Sequence, residues 1–182
     1  VASRDRQRSA LLQPSVIRST YDDLIDDPDV DAVYVCLANH QHEEWVVRAL
    51  SAGKHVLCEK PLATDPDQAE RMARAAVDAD RMLVEAVWCR WHPRFRRLAE
   101  LATSGGLGDL LSIDSAFTFP AELEGNYRAE PECGGGALLD VGGYQVHTWL
   151  GLTGGAPEVR LDRVERNTGP TGIDLTTRIA AS

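Results

Sequence analysis

Several features that would assign a function at once are missing from this chain. Its 182 residues include only four cysteines and no Cys-x-x-Cys pair, so neither a zinc site nor a disulfide framework is expected. Cys36 and Cys58 fall inside apolar runs, where a free thiol behaves as a small hydrophobic side chain. We therefore expect no bound metal, and we expect the reducing cytoplasm as the compartment.

Long apolar runs and an excess of positive charge are missing as well. No run is long enough to cross a bilayer, and the chain opens Val1-Ala2-Ser3 without the basic-then-apolar pattern of a secretory signal. The net charge is −9, from 19 basic and 28 acidic side chains, which argues against a nucleic-acid partner and against an anionic membrane. The 43% of apolar residues suit a packed globular core.

The first half of the chain alternates segments typical of strands and of helices. Residues 32–37, 54–58 and 81–87 are predicted as strands, and residues 42–52 and 64–79 as helices. This alternation favours βαβ units around a parallel sheet. The first of these strands is apolar throughout, as expected for a strand that is covered on both faces.

After Pro93 the pattern changes to one that is typical of a second, α+β domain. Residues 95–102 are predicted as a helix, and residues 109–119 as a long strand. A helix is expected from the glycines at 134–136 to about residue 152, and two further strands at 159–165 and 173–180. We place the boundary near residues 88–94, which gives domains of residues 1–90 and 91–182.

The most informative motif is Glu59-Lys60-Pro61, which directly follows the predicted strand at 54–58. Parallel α/β sheets bind ligands outside the carboxyl ends of their strands. A lysine in that position can donate a proton to a substrate oxygen. The alternative is a solvated turn in which Pro61 only ends the strand.

The second motif is the glycine run at 134–136, followed by Asp140, Tyr144 and His147. On a helix these three polar side chains share one stripe, and they are costly on an apolar helix unless they are paired. The glycines would allow a ligand or another stretch of backbone to approach the helix start. The alternative is a polar stripe that faces water.

A third motif, Asn39 and His42, follows the strand that ends at Leu37. These side chains sit where a dinucleotide would cross the edge of the sheet. The alternative is a helix N-cap, for which Asn39 or His40 would serve.

A fourth and weaker motif is Ser3-Arg4-Asp5 near the start of the chain. At the end of a second Rossmann strand an acid selects NAD, whereas an arginine accommodates the 2′-phosphate of NADP. Ser3 and Arg4 in that position favour NADP. The competing interpretation is that Asp5 caps the following helix while Arg4 lies in solvent.

Taken together, these residues resemble the Gfo/Idh/MocA oxidoreductases. The residues that carry the resemblance are Asn39-x-x-His42, Glu59-Lys60-Pro61 and Gly134-Gly135-Gly136-x-Leu138-x-Asp140-x-Gly142-x-Tyr144. Their order and separations recur in the family, and the resemblance covers essentially the whole chain. Tyr144 and the run Trp88-x-Arg90-Trp91-x-Pro93 look closest to the dihydrodiol dehydrogenase and glucose-fructose oxidoreductase branch.

The resemblance implies an α/β fold, with a Rossmann-type parallel sheet followed by an α+β domain whose sheet is mostly antiparallel. It implies hydride transfer between NAD(P), with NADP favoured, and a CH–OH or C=O group of a sugar, polyol or cyclic diol. It also implies a homo-oligomer that forms through the sheet of the second domain. The partner would be a small carbohydrate-like molecule, with no nucleic acid and no membrane.

The resemblance further implies roles for individual residues. Lys60 would hydrogen-bond the reacting oxygen, Asp140 would orient the substrate or relay a proton, and Tyr144 would be the acid/base or its close partner. The residues expected to bind the cofactor are Ser3, Arg4, Leu37, Ala38, Asn39, His42, Glu59, Lys60 and Arg90. Those expected to contact substrate are Trp88, Tyr127 and His147.

Two departures from the family pattern stand out. Ala38 occupies the position where the family usually has proline, and no Gly-x-Gly-x-x-Gly loop occurs in the chain. The family's first strand is also missing, since Val1-Ala2-Ser3-Arg4 resembles its second strand. From the missing strand and loop we expect a fragment of a longer protein, which alone would bind dinucleotide poorly.

Two other functions stay open at this point. One is an NAD-dependent glycosidase that uses transient oxidation and causes no net absorbance change at 340 nm. The other is a non-catalytic binding member of the same fold, which the complete set of Lys60, Asp140 and Tyr144 argues against.

Overall fold

The computed structural model describes residues 1–3, 5–155 and 158–182. The chain forms two compact units. The first comprises Val1–Leu37, Gln41–Glu59 and Asp65–Glu85, and the second comprises Ala38–His40, Lys60–Thr64 and Ala86–Ser182. The short segments that follow two strands of the first unit therefore belong to the second unit.

A three-stranded parallel sheet forms the centre of the first unit. Its strands are β1 (Ala32–Val35), β2 (His55–Cys58) and β3 (Leu83–Glu85), in the order β1-β2-β3. Val35 pairs with Cys58, which pairs in turn with Glu85, so the carboxyl ends of the strands lie in one row. The predicted βαβ arrangement is confirmed.

In the described part of this unit, four helices accompany the sheet: α1 (Arg6–Ala10), α2 (Tyr21–Ile25), α3 (His42–Ser51) and α4 (Pro66–Asp78). Helix α4 begins where its sequence predicts, with Pro66 in the first turn. The capping side chain is the Asp65 carboxylate, which accepts a hydrogen bond from the Gln68 backbone N–H at 2.9 Å. The run Thr64-Asp65-Pro66 also predicts a hydroxyl cap from Thr64, and that prediction is wrong because the cap residue is Asp65.

The core of the first unit lies on one face of the sheet. Val46, Ala49 and Leu50 recur at helical spacing on α3 and are fully buried, as is Met72 of α4. On the opposite face, Tyr34, Leu57 and Val84 stand side by side across the three strands and are 37–53% exposed. The expectation that both faces of β1 are covered is wrong, because the side chains that alternate toward this second face remain exposed.

The second unit contains two longer helices and a two-stranded antiparallel sheet. The helices are α5 (Pro93–Thr103) and α6 (Gly143–Leu152), and the strands are β4 (Leu161–Thr168) and β5 (Asp174–Ala181). A π-helical turn, Leu138–Gly142, leads directly into α6. Short 3₁₀ helices at Trp88–Trp91, Tyr127–Ala129 and Pro131–Cys133 also belong to this unit, and a further one, Asn39–Gln41, begins in it.

The strand predicted at residues 109–119 does not form. Its alternating apolar residues fit a strand, but β4 and β5 pair with each other and no strand is assigned to 109–119. A strand exists only through hydrogen bonds to a neighbour, and alternation alone does not supply one. Part of the segment, including Phe117 and Phe119, instead lines a cavity of about 910 Å³ within the second unit.

No helix in the described part of the chain has the length and apolar character needed to span a membrane.

Candidate active site

Lys60, Asp140 and Tyr144 lie together within the second unit. The Lys60 ammonium donates hydrogen bonds to the Asp140 backbone carbonyl and, at 2.8 Å, to Asp140 Oδ1. Its Nζ lies 5.4 Å from the centre of the Tyr144 ring. The side chains of Lys60 and Asp140 are only 17% and 14% exposed. The structure thus brings together the three residues that the sequence analysis assigned to catalysis, while their roles stay predictions.

Local structure places each of these side chains. Lys60 comes two residues after the end of β2 and is joined to Pro61 by a cis peptide bond. Asp140 lies inside the π-helical turn, and Tyr144 lies in the first turn of α6. Such widened turns are rare in proteins and are often found at functional sites.

The glycine run before Asp140 is required by a close approach of the chain to itself. Gly134 and Gly136 adopt φ angles of 73° and 114°, which side chains other than glycine rarely adopt. A Cβ on Gly135 would collide with the Arg128 carbonyl, and one on Gly136 would collide with the Asp174 carboxylate. Another stretch of backbone therefore does approach the helix start.

Asn39, which is distant in sequence, stabilises this glycine turn through a hydrogen bond. Its side chain is buried, and its amide donates a 2.8 Å hydrogen bond to the Gly134 carbonyl. Helix α3 instead begins after Gln41, whose side chain makes no capping hydrogen bond. The alternative of an Asn39 or His40 N-cap is therefore wrong, and a contact between Asn39 and the cofactor stays a prediction.

Asp174 is a further anchor, which the sequence analysis missed. Its carboxylate is 4% exposed and accepts hydrogen bonds from the Leu138 backbone N–H at 2.8 Å and the Thr177 hydroxyl at 2.6 Å. It thereby ties the start of the π-helical turn to β5. No local pattern marked it, because it appears in the sequence as one acid within a predicted strand.

Arg128 was missed as well, although it contacts Asp140 directly. Its Nε donates to Asp140 Oδ1 at 3.1 Å, the same oxygen that Lys60 contacts. Its guanidinium lies over the Tyr127 ring at 4.6 Å from the ring centre. Arg128 lies in the short 3₁₀ helix Tyr127–Ala129, 12 residues before Asp140, and no periodicity links the two residues.

Electrostatics keep Asp140 ionised. Burial alone would raise the pKa of its carboxyl group, but the hydrogen bonds and charges of Lys60 and Arg128 outweigh that effect and hold the pKa below its ordinary value of 3.8. The cluster therefore combines one negative and two positive side chains. Such an arrangement suits a neutral or partly negative oxygen as its ligand.

Aromatic rings surround Tyr144. The Phe117 ring stacks on it with centres 5.3 Å apart, and the Trp88 indole N–H donates to the Tyr144 hydroxyl at 3.3 Å. Trp88 is 60% exposed and Phe117 is 48% exposed. Exposed aromatic faces beside hydrogen-bonding groups are typical of small-molecule sites.

The residues predicted near the start of the chain lie in the first unit. The Ser3 hydroxyl accepts from the Asp5 N–H at 3.1 Å, and the Asp5 carboxylate caps α1 by accepting from the Arg8 N–H at 2.9 Å. The competing interpretation of Asp5 as a helix cap is confirmed. Arg4 lies outside the described residues. A single parallel bridge joins Ala2 to Arg18.

Other predicted cofactor residues surround the ends of β1 and β2. His42 is fully buried, and its Nε2 lies 3.0 Å from the Leu37 carbonyl oxygen. The Glu59 carboxylate accepts a hydrogen bond from the Tyr34 hydroxyl. That hydrogen bond, with burial and the nearby negative charge, raises the pKa of Tyr34 to about 12.

The remaining predicted residues lie in the second unit. Arg90 is exposed in the 3₁₀ helix Trp88–Trp91, and Ala38 precedes the Asn39 anchor. His147 lies on α6 three residues after Tyr144. The described residues hold no cluster of three or more His, Cys, Asp or Glu side chains that could bind a metal ion.

Comparison with protein families gives two matches that together span nearly the whole chain. Residues 2–87 match the GFO/IDH/MocA oxidoreductase family with its NAD-binding Rossmann fold. Residues 95–179 match the GFO/IDH/MocA C-terminal domain.

Individual relatives agree with these matches. A dTDP-3,4-didehydro-2,6-dideoxy-alpha-D-glucose 3-reductase from Actinomadura kijaniata is 44% identical over 126 residues, which are 69% of this chain and 38% of the relative. A trans-1,2-dihydrobenzene-1,2-diol dehydrogenase from Xenopus laevis is 38% identical over 127 residues, covering 70% of this chain and 38% of that enzyme. The chain thus spans less than half the length of these two relatives.

A solved structure supports the same assignment. The 3-ketoreductase from Actinomadura kijaniata, in complex with NADP and TDP-benzene, superposes with a TM-score of 0.89 and 34% identity. The match covers 100% of this chain and 56% of that chain. On these grounds, the chain belongs to the GFO/IDH/MocA oxidoreductase family.

Proposed function

We propose that the intact protein is an NADP-dependent oxidoreductase that acts on a CH–OH or C=O group of a sugar, a sugar nucleotide or a cyclic diol. The observation that carries the proposal is the convergence of Lys60, Asp140 and Tyr144 beside exposed aromatic rings. Oxidation of an alcohol carbon, or reduction of a carbonyl carbon, requires one proton to leave or reach the oxygen. Lys60 and Tyr144 are the two side chains that we assign to this proton.

Each member of the cluster has a distinct task in this proposal. Lys60 donates a hydrogen bond to the reacting oxygen and stabilises negative charge on it. Asp140, held ionised by its two cations, fixes the Lys60 ammonium in place. Tyr144 exchanges the proton with the substrate oxygen, while Trp88 and Phe117 hold its ring.

NADP supplies the hydride acceptor or donor when it is bound. The carboxyl ends of β1, β2 and β3 lie in one row, which is where parallel sheets bind dinucleotides. Leu37 and Glu59 follow β1 and β2 directly, and we assign them with Ala38, Asn39, His42 and Arg90 to the cofactor. From the sequence, Ser3 and Arg4 are the residues that we assign to its ribose phosphate. The chain contains no Gly-x-Gly-x-x-Gly loop, so no pyrophosphate site of that type is assigned to it.

The substrate class follows from the surroundings of Tyr144 together with the relatives. One relative is named as a reductase of a dTDP-linked keto sugar and another as a dehydrogenase of a cyclic diol. Both substrates present an oxygen on a six-membered ring. We assign Trp88, Tyr127 and His147 to the walls that hold such a ring.

We also propose a cytoplasmic location and a homo-oligomer. Four free thiols support a reducing compartment. The residues of β4 are exposed along the whole strand, which supports association through the sheet of the second unit. Sedimentation of the purified protein would test the oligomer.

The proposed activity predicts net oxidation of NADPH, followed at 340 nm, when a keto sugar nucleotide is added to the intact protein. We expect Lys60→Met and Tyr144→Phe each to lower kcat by about 100-fold or more, since each removes a group at the reacting oxygen. Tyr21→Phe is the matched control, because Tyr21 packs against Trp45 in the first unit. Near-normal kcat in Tyr144→Phe would contradict the role of Tyr144, and turnover without net absorbance change would favour a glycosidase.

A further inference from the structure

Arg128 is assigned no contact with substrate or cofactor above, yet it shares one oxygen of Asp140 with Lys60. We propose that Arg128 is a positioning residue, which fixes the direction of the Asp140 carboxylate and divides its negative charge between two cations. Asp140 then still positions the Lys60 ammonium, but its electrostatic attraction for Lys60 is weaker because Arg128 shares the same carboxylate oxygen. The claim that this arrangement assists turnover rests on the proposed function. The claim that Arg128 positions the Asp140 carboxylate does not.

The geometry supports a dedicated contact because Arg128 is fixed from both sides of its backbone. Its N–H donates to Asn126 Oδ1 at 3.0 Å, and its carbonyl accepts from the Gly136 N–H at 3.0 Å. The second of these bonds is possible because residue 135 has no side chain to collide with that carbonyl. The segment that carries Arg128 is thus joined to the turn that carries Asp140.

The side chain of Arg128 is fixed as well. Its guanidinium lies over the Tyr127 ring, 4.6 Å from the ring centre, where a cation is attracted by the electrons of the ring. The Nε atom then reaches Asp140 Oδ1 at 3.1 Å. Tyr127 therefore supports Arg128 in addition to the substrate contact that we assign to it.

The charge balance explains what Arg128 adds. A lone ammonium and a lone carboxylate, each less than one fifth exposed, attract each other strongly because little water screens them. A second cation, Arg128, on the same oxygen weakens the electrostatic attraction between Asp140 and Lys60. The charged groups that act on Asp140 are Lys60, from the segment after β2, and Arg128, while Tyr144 of α6 faces Lys60.

An unusual feature of the composition makes a direct test possible. The chain contains only two lysines, Lys54 and Lys60. Lys54 belongs to the first unit and donates to the Asp27 carbonyl. In the 182-residue chain labelled with ¹³C,¹⁵N-lysine, NMR therefore shows two side-chain signals, and Lys60→Met identifies which of them belongs to residue 60. As the pH falls, the Lys60 signal reports protonation of its partner Asp140.

We expect Arg128→Gln to move the low-pH transition of the Lys60 signal upward by about one pH unit, because loss of a cation makes the carboxylate easier to protonate. Arg128→Lys keeps the cation and should restore at least part of the shift. Arg97→Gln, which removes an exposed arginine of α5 that pairs with Glu100, should leave the transition where it is. Asp140→Asn should abolish it.

An unchanged transition in Arg128→Gln would overturn the proposal, and so would a transition that persists in Asp140→Asn. Backbone spectra of each variant show whether it is folded, and Arg128→Lys tests the same charge with a smaller change if Arg128→Gln does not fold. Because the measurement needs neither cofactor nor substrate, its failure is distinguishable from failure of the proposed activity, which the 340 nm assay decides.

Discussion

The two units of this chain hold their folds by different means. In the first unit, apolar side chains of α3, β2 and α4 are completely buried against one another. In the second unit, the buried apolar side chains among the described residues are only Val87, Ala129 and Ile173. Its path around the candidate site is fixed by buried polar contacts instead, above all those of Asn39 and Asp174.

This difference has a physical consequence for each unit. Hydrophobic packing is not directional, so it stabilises a fold while tolerating small shifts. Hydrogen bonds in a buried site are directional, and they cost stability when one partner is lost. A site that must hold Lys60, Asp140 and Tyr144 within fractions of an ångström benefits from the second kind of contact. We therefore expect the two units to respond differently to substitution.

The largest expected effect is loss of packing in the first unit. Met72→Ala removes a fully buried side chain of α4 and should lower the free energy of unfolding by about 2–5 kcal/mol. Val77→Ala is the matched control on the same helix, because Val77 is 80% exposed, and it should change stability by less than about 0.5 kcal/mol. Urea unfolding measures both. Equal effects of the two substitutions would show that the first unit does not depend on this core.

A smaller effect is expected from removing a polar anchor in the second unit. Asp174→Ala leaves the part-buried Leu138 N–H without its acceptor, the buried Asp174 carboxylate, and should cost about 1–3 kcal/mol. Hydrogen exchange of the Leu138 amide should accelerate, and the signal of Lys60 should shift as the π-helical turn loosens. Thr176→Ala, at an exposed position of the same strand, is the control. Unchanged exchange at Leu138 would mean that this turn is held by packing after all.

The same difference explains how much could be predicted from the sequence. Helices α3 and α4 and strands β1 to β3 were found because burial on one face of a helix or strand leaves a local period. Lys60 and Asp140 were found because their motifs follow a strand end and a glycine run. The prediction of a strand at 109–119 was wrong because a strand needs a hydrogen-bonding neighbour, and β4 and β5 pair only with each other. Arg128 and Asp174 left no local pattern, since their partners lie 12 and 36 residues away.

The smallest expected effect concerns a polar pair at the edge of the first unit, between Tyr34 and Glu59. Their hydrogen bond, together with burial and the charge of Glu59, raises the pKa of Tyr34 to about 12. A raised pKa means that the bond favours the folded state below the ordinary tyrosine value of about 10, and that this contribution is lost as the pH rises through 12. The contribution is small because Tyr34 is 53% exposed and water screens the interaction. Glu59→Gln should bring the transition back toward the ordinary value. Absorbance at 295 nm, compared between the parent protein and Tyr34→Phe, isolates this residue among four tyrosines.

At neutral pH, Glu59→Gln should leave the free energy of unfolding nearly unchanged, because Tyr34 is 53% exposed and water replaces the lost bond. That result would distinguish this exposed pair from Asn39 and Asp174 of the second unit, whose side chains are buried and whose hydrogen bonds are costly to lose. A destabilisation as large as that of Asp174→Ala would instead mean that both units depend on directional contacts. The contrast between a packed unit and a polar-anchored unit would then be wrong.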